Sequence, residues 1–116
     1  MKTIKMILAA ILVLVFSMQV SAQKAKEKPV TDTINVHGNC GMCKENIEGA
    51  LDIKGIKSAD WNKETKQLIV TYLASKITMD AIQHKIADAG YDTEKYKASD
   101  KAYNKLHACC QYERGK

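Results

Sequence analysis

Two apolar rhythms alternate along this chain, and they restrict its fold more than any other feature. Residues 31–36 put Ile34 and Val36 on one side and Thr and Asn on the other, the two-residue period of a half-buried strand. Residues 67–73 (QLIVTYL) repeat that pattern with β-branched and aromatic side chains, and residues 56–61 carry a weaker version. Between these stretches the period lengthens. Met42, Ile47, Ala50 and Leu51, with Ile53 beyond a turn, fit one face of a helix stopped by Gly55. Met79, Ile82, Ile86 and Ala89 line a second helix. Thr78 is a preferred N-cap type there, Asp80 suits the positive end of the helix dipole, and Gly90 ends the run. A short strand is expected around residues 92–96. The order is β-α-β-β-α-β.

That order is the split βαβ, or ferredoxin-like, arrangement. It predicts an α+β sandwich: a four-stranded antiparallel sheet with two helices on one face, occupying residues 31–97. Residues 37–41 hold two glycines and an Asn, and residues 62–66 (NKETK) read as a turn. Residues 98–116 form a C-terminal extension, weakly helical over 99–105 with Ser99 as a candidate cap, which delivers Leu106-His107-Ala108-Cys109-Cys110.

The N-terminus has the layout of a secretory signal peptide. Lys2 and Lys5 precede an unbroken apolar run of 11 residues, 6–16, and Val20-Ser21-Ala22 supplies the small residues of a cleavage site. A spanning helix needs roughly 20 apolar residues, so an anchor is disfavoured. Cleavage is expected after Ala22, leaving a periplasmic or secreted chain with no stable membrane insertion. Residues 23–30 (QKAKEKPV) have little to bury and read as a flexible leader. The mature chain suffices for one modest core. Its excess of basic over acidic residues is small, the lysines are scattered and the aromatics are few, which argues against a nucleic-acid partner.

All four cysteines, Cys40, Cys43, Cys109 and Cys110, lie in the mature part. Their spacing makes a poor disulfide framework, because such small loops constrain an unfolded chain little. Cys40-Gly41-Met42-Cys43 falls where the first strand hands over to the first helix. Unpaired N–H groups and the helix dipole lower a thiol pKa there, and two intervening residues let both sulfurs face one ion. Soft thiolates favour Cu(I) and other soft ions. Two sulfurs do not complete the four-ligand shell of structural zinc. A redox disulfide uses the same motif at the same kind of junction. Against it stand the absence of Pro or an aromatic in or just before the pair, the distant position of Pro29, and the element order. No Ser/His/Asp set, carboxylate pair or phosphate loop suggests another enzyme, and the chain is expected not to be one.

Gly38-Asn39-Cys40-Gly41-Met42-Cys43 resembles the metal loop of the heavy-metal-associated domain, found in copper chaperones, copper-pump N-terminal domains and periplasmic mercury-binding proteins. Residues 55–62, the strand at 65–72 and Ile86-Ala87-Asp88-Ala89-Gly90-Tyr91 extend the likeness over roughly residues 31–96. The resemblance implies a ferredoxin-like fold and Cu(I), or another soft metal, on Cys40 and Cys43. It also implies transfer by ligand exchange with a partner thiol pair, such as that of a copper-transporting ATPase or a cuproenzyme. Hg(II), Zn(II) and Cd(II) are the other ions it admits. A mercury or soft-metal scavenger with the same ligands, or a thiol-disulfide oxidoreductase, is the alternative function. This chain departs from the family's Gly-Met-Thr before the first cysteine, having His37-Gly38-Asn39 instead. The family Met packs beneath the loop, so a looser loop is expected. Tyr91 matches the family position near the metal loop and can shield the thiolates.

The Cys-Cys tail lies outside the family domain. Cys109, Cys110 and His107 are candidates for additional ligands; the alternative is an oxidised pair or a free tail. His37 is expected to be a solvated loop residue and His84 a surface one. Met79 and Trp61 are expected in the core, and Lys44 is placed to screen a bis-thiolate charge.

Overall fold

The computed structural model describes residues 27–114. The expected signal peptide and the first half of the leader, residues 23–26, lie outside the described residues. Strand β1 (Val30–Asn35) leads into helix α1 (Gly41–Ala50), followed by β2 (Ile56–Trp61), β3 (Gln67–Tyr72), α2 (Met79–Asp88), α3 (Asp100–Asn104) and a 3-10 turn, Ala108–Cys110. The strands form one antiparallel sheet in the order β1-β3-β2. Ile34 pairs with Leu68, and Trp61 pairs with Leu68 from the other side.

The alternation read in the sequence sets which face is buried. Leu68, Val70 and Tyr72 join Ile34 and Val36 in the core, while Ile69 between them is exposed. Ile47 of the first helix, Leu51 at its C-cap, and Ile82 and Ile86 of the second helix close over that face. Thr78 caps α2, its side-chain oxygen accepting the Ala81 N–H at 3.1 Å, and Asp80 lies in the first turn. Gly90 ends the helix with φ +107°, a conformation glycine tolerates without steric cost. Among the described residues, no helix is long and apolar enough to cross a membrane.

The four-stranded sheet is not formed among the described residues. The stretch expected as a fourth strand makes one antiparallel bridge, Val36 to Thr93, and then curls away. The Thr93 N–H donates to the Tyr96 carbonyl (2.8 Å) and the Tyr96 N–H to Thr93 Oγ1 (3.0 Å), which closes a tight turn. A continuing strand would offer a carbonyl to the Asn35 N–H; the Glu94 carboxylate accepts it instead, at 2.8 Å. The Glu94 carboxylate thus takes one N–H that a ladder would have used, while the Asp92 carbonyl accepts from the His37 N–H at 3.0 Å.

The face of α1 also differs from the expected one. Met42 is 40% exposed, and Cys43 occupies the inward position, one and two turns before Ile47 and Leu51. Met79, expected in the core, is partly buried against its rim. Trp61 is buried and His84 exposed, both as expected.

Candidate metal centre

The loop between β1 and α1 is built on Trp61. Its Nε1–H donates to the Val36 carbonyl at 2.9 Å, and its ring lies directly beneath Gly38. A Cβ on Gly38 would lie 2.8 Å from the Trp61 ring and 3.3 Å from the Cys43 Cβ, so only glycine fits without displacing one of them. This indole floor holds the loop that lacks the family's Met. Cys40 is the N-cap residue of α1, with extended backbone at φ −141°, and Cys43 sits in the first turn. The two sulfurs are 3.6 Å apart, and the Asn39 N–H points at the Cys43 sulfur from 3.4 Å.

The C-terminal extension brings a third sulfur to this pair. Cys110 Sγ is 3.8 Å from Cys40 Sγ, and the sulfurs of Cys40, Cys43 and Cys110 all lie within 4.8 Å of one another. Cys43 and Cys110 are buried and Cys40 is half-buried. Cys109 turns outward: its sulfur is exposed, 3.9 Å from the Met42 sulfur, while its carbonyl accepts from the Cys40 thiol at 3.5 Å. His107, His37 and His84 are exposed and stand outside the sulfur cluster. Lys44 does not face the sulfurs. Its ammonium is held by Glu48 (2.5 Å), Asp60 (2.6 Å) and the Trp61 carbonyl (3.1 Å).

A latch secures the extension, and of its parts only the Ser99 cap was expected from the sequence. Ser99 caps α3, its Oγ accepting from the Ala102 N–H. The Cys110 N–H closes a turn onto the His107 carbonyl at 2.8 Å. Tyr112 is then inserted between Tyr91 (ring centroids 5.9 Å, stacked) and Tyr103 (5.2 Å, edge-on). Its hydroxyl accepts the Asp92 N–H (2.8 Å) and donates to the Gly90 carbonyl (2.9 Å). Arg114 grips both Asp92 carboxylate oxygens, at 2.8 and 3.1 Å, and the Ala98 carbonyl at 2.6 Å. Burial alone would raise the Asp92 carboxyl; the guanidinium and the Ala98 N–H overcome it and hold the group below the usual carboxylate range. The signal available in the sequence was Tyr112, an aromatic two residues past Cys110 in an otherwise polar terminus.

The sulfurs differ in acidity. Cys40 makes no capping hydrogen bond of ordinary geometry, yet the nearby Cys43 N–H is the largest influence on its thiol. Aided by the Cys109 and Cys43 side chains and the Met42 N–H, it outweighs burial and brings Cys40 down to about 7. Contact with Cys40, followed by burial, raises Cys109. Burial first, then the Cys43 sulfur, raises Cys110. Burial also raises the Tyr91 phenol, which accepts from the Asn46 amide at 2.9 Å and adjoins the Cys110 and Cys43 sulfurs. The thiolate is the nucleophile. Alkylation of the reduced, metal-free chain by iodoacetamide should therefore reach half its limiting rate at Cys40 near pH 7, with Cys109 reacting only at higher pH, although Cys109 is the more exposed. Peptide mass spectrometry across pH 5–9 would read this order. Labelling of Cys109 ahead of Cys40 at pH 7 would contradict it.

Comparison with known proteins places this geometry among relatives. The sequence model of the heavy-metal-associated domain matches residues 33–92. The copper chaperone CopZ of Staphylococcus aureus is 43% identical over 63 residues, spanning 53% of this chain and 93% of that protein. The solved structure of oxidized MerP from Ralstonia metallidurans CH34 superposes with a TM-score of 0.54 at 29% identity, over 58% of this chain and 96% of that one. The water-soluble region of the P-type ATPase CopA from Bacillus subtilis gives a TM-score of 0.55 at 28% identity, over 60% of this chain and 47% of that one.

Proposed function

The chain belongs to the heavy-metal-associated domain family, and from that premise we propose that it binds Cu(I) through the thiolates of Cys40 and Cys43 and carries or sequesters it in the cell envelope. The observation that carries this reading is the sulfur pair, 3.6 Å apart at the N-terminus of α1. Thiolates are soft and matched to an ion content with few ligands, and the Cys43 N–H favours the thiolate of Cys40. Among the described residues the cluster offers three sulfurs and no fourth His or carboxylate, so it lacks the closed shell of structural zinc. The likeness to a copper chaperone supports copper as cargo.

The acceptor in this reading is a thiol pair on a copper-transporting ATPase or a cuproenzyme. The shared fold with the water-soluble region of the P-type ATPase CopA supports it, because two like loops can present sulfurs to one ion between them. The expected signal peptide, cut after Ala22, would place the exchange in the periplasm or outside the cell.

Native mass spectrometry of the reduced mature chain offered Cu(I), Zn(II) and Hg(II) tests the proposal. One Cu(I) per chain is expected, retained when Zn(II) is present in excess. Retention of Zn(II) in preference to Cu(I), or of neither ion, would overturn the copper reading. Hg(II) held while Cu(I) is released would move the function to a mercury scavenger with the same ligands.

A further inference from the structure

Resting on the reading of Cys40 and Cys43 as ligands, we propose that Cys110 is a third sulfur ligand, so that this chain holds its soft ion in a three-sulfur site that retains it more firmly than the loop pair alone. The spacing of the sulfurs is the first argument. A cation about 2.3 Å from each of three thiolates, the usual metal–thiolate distance, needs its sulfurs about 4 Å apart in a planar triangle, whereas two opposed sulfurs need about 4.6 Å. The observed separations are 3.6 Å for Cys40–Cys43 and 3.8 Å for Cys40–Cys110, with Cys43–Cys110 inside 4.8 Å. The cluster is therefore closer to the triangle than the loop pair is to the opposed arrangement.

The second argument is selection between neighbours. Cys109 and Cys110 are adjacent, yet one sulfur is exposed and the other fully buried against the loop. A buried cysteine often serves only as a small apolar filler. Here the Cys110 sulfur faces two other sulfurs, and four tail groups fix where it sits: the His107 carbonyl, Tyr112, Tyr103 and Arg114. The Tyr103 hydroxyl donates to the Tyr112 carbonyl at 2.6 Å, and the Tyr112 hydroxyl ties the segment to Gly90 and Asp92 beside the loop. The latch thus holds Cys110 in register with the site.

Retention follows. A ligand delivered by a clamped segment costs little further ordering when the ion binds. The test uses the whole mature chain, reduced, freed of reductant under nitrogen and loaded with Cu(I). Its copper K-edge absorption spectrum counts sulfurs without any substitution, and three are expected. Cys110→Ser should drop the count to two and weaken retention against the Cu(I) chelator bathocuproine disulfonate by at least about tenfold, the lower bound seen even for residues that merely support a ligand. Cys109→Ser should leave both unchanged. Circular dichroism reports whether each variant folds; if Cys110→Ser does not, the wild-type count still decides. Two sulfurs in the copper-loaded wild type would overturn the third ligand and leave the Cys40/Cys43 reading standing. A third sulfur lost in Cys109→Ser and kept in Cys110→Ser would overturn it equally. A chain that takes up no copper would overturn both readings.

Discussion

Trp61→Ala is expected to lower the melting temperature of the reduced, metal-free chain by about 12 °C or more, which corresponds to about 3–5 kcal/mol for an aromatic core truncation in a domain of this size. The indole is 1% exposed, so nearly all of its packing is lost. The Val36 carbonyl loses its 2.9 Å donor, and a buried acceptor left alone adds its own penalty. The loss is large against a total stability of roughly 5–15 kcal/mol. It also falls on the site, because Gly38 rests on that ring and Cys43 packs beside Gly38. Trp61→Phe should recover part of the loss by refilling the space without replacing the N–H. Thermal melts followed by circular dichroism measure both. A shift of only a few degrees for Trp61→Ala would mean that the loop does not stand on the indole.

The parts of this fold that were legible in the sequence are those set by local chemistry. β3 reads from its own residues, since Leu68, Val70 and Tyr72 must share a face by the period of the strand. Thr78 and Ser99 could be named as caps because a hydroxyl three residues before a free N–H suffices. The positions that escaped depend on partners far along the chain. The stretch after Tyr91 has strand-like spacing, but Glu94 reaches the Asn35 N–H, 59 residues away, and the backbone is released into a turn. Met42 and Cys43 compete for one inward position on α1, and hydrophobicity alone favours Met; the narrow space beside Gly38 and the two other sulfurs takes the smaller side chain. The Cys-Cys tail was visible as chemistry but not as geometry. Which cysteine turns inward is decided by Tyr112 and by the Arg114–Asp92 pair, 22 residues apart in sequence. Lys44 reads as a charge screen only until Glu48 and Asp60 are seen to hold its ammonium.

Replacing Cys40 and Cys43 together by serine is expected to have the largest functional effect. A serine hydroxyl is a hard, neutral donor near pH 7, and soft Cu(I) has little affinity for it. Residues that only support a metal ligand are worth roughly 10–100-fold in affinity, so removing two ligands should cost more than about 10⁴-fold. The remaining sulfurs, Cys109 and Cys110, cannot rebuild the site, since one faces away and the other is left alone behind the loop. The fold should survive, because the core cluster of strand and helix residues is untouched apart from Cys43, where a buried hydroxyl costs about 1–3 kcal/mol.

The most direct measurement is therefore a competition titration of Cu(I) between bathocuproine disulfonate and the reduced mature chain, run in parallel on the wild type and on a folded Cys40→Ser/Cys43→Ser variant. The wild type should keep one Cu(I) per chain well into the chelator series, and the double variant should surrender it at the first additions. Equal retention by the two proteins would contradict the assignment of this loop as the metal centre.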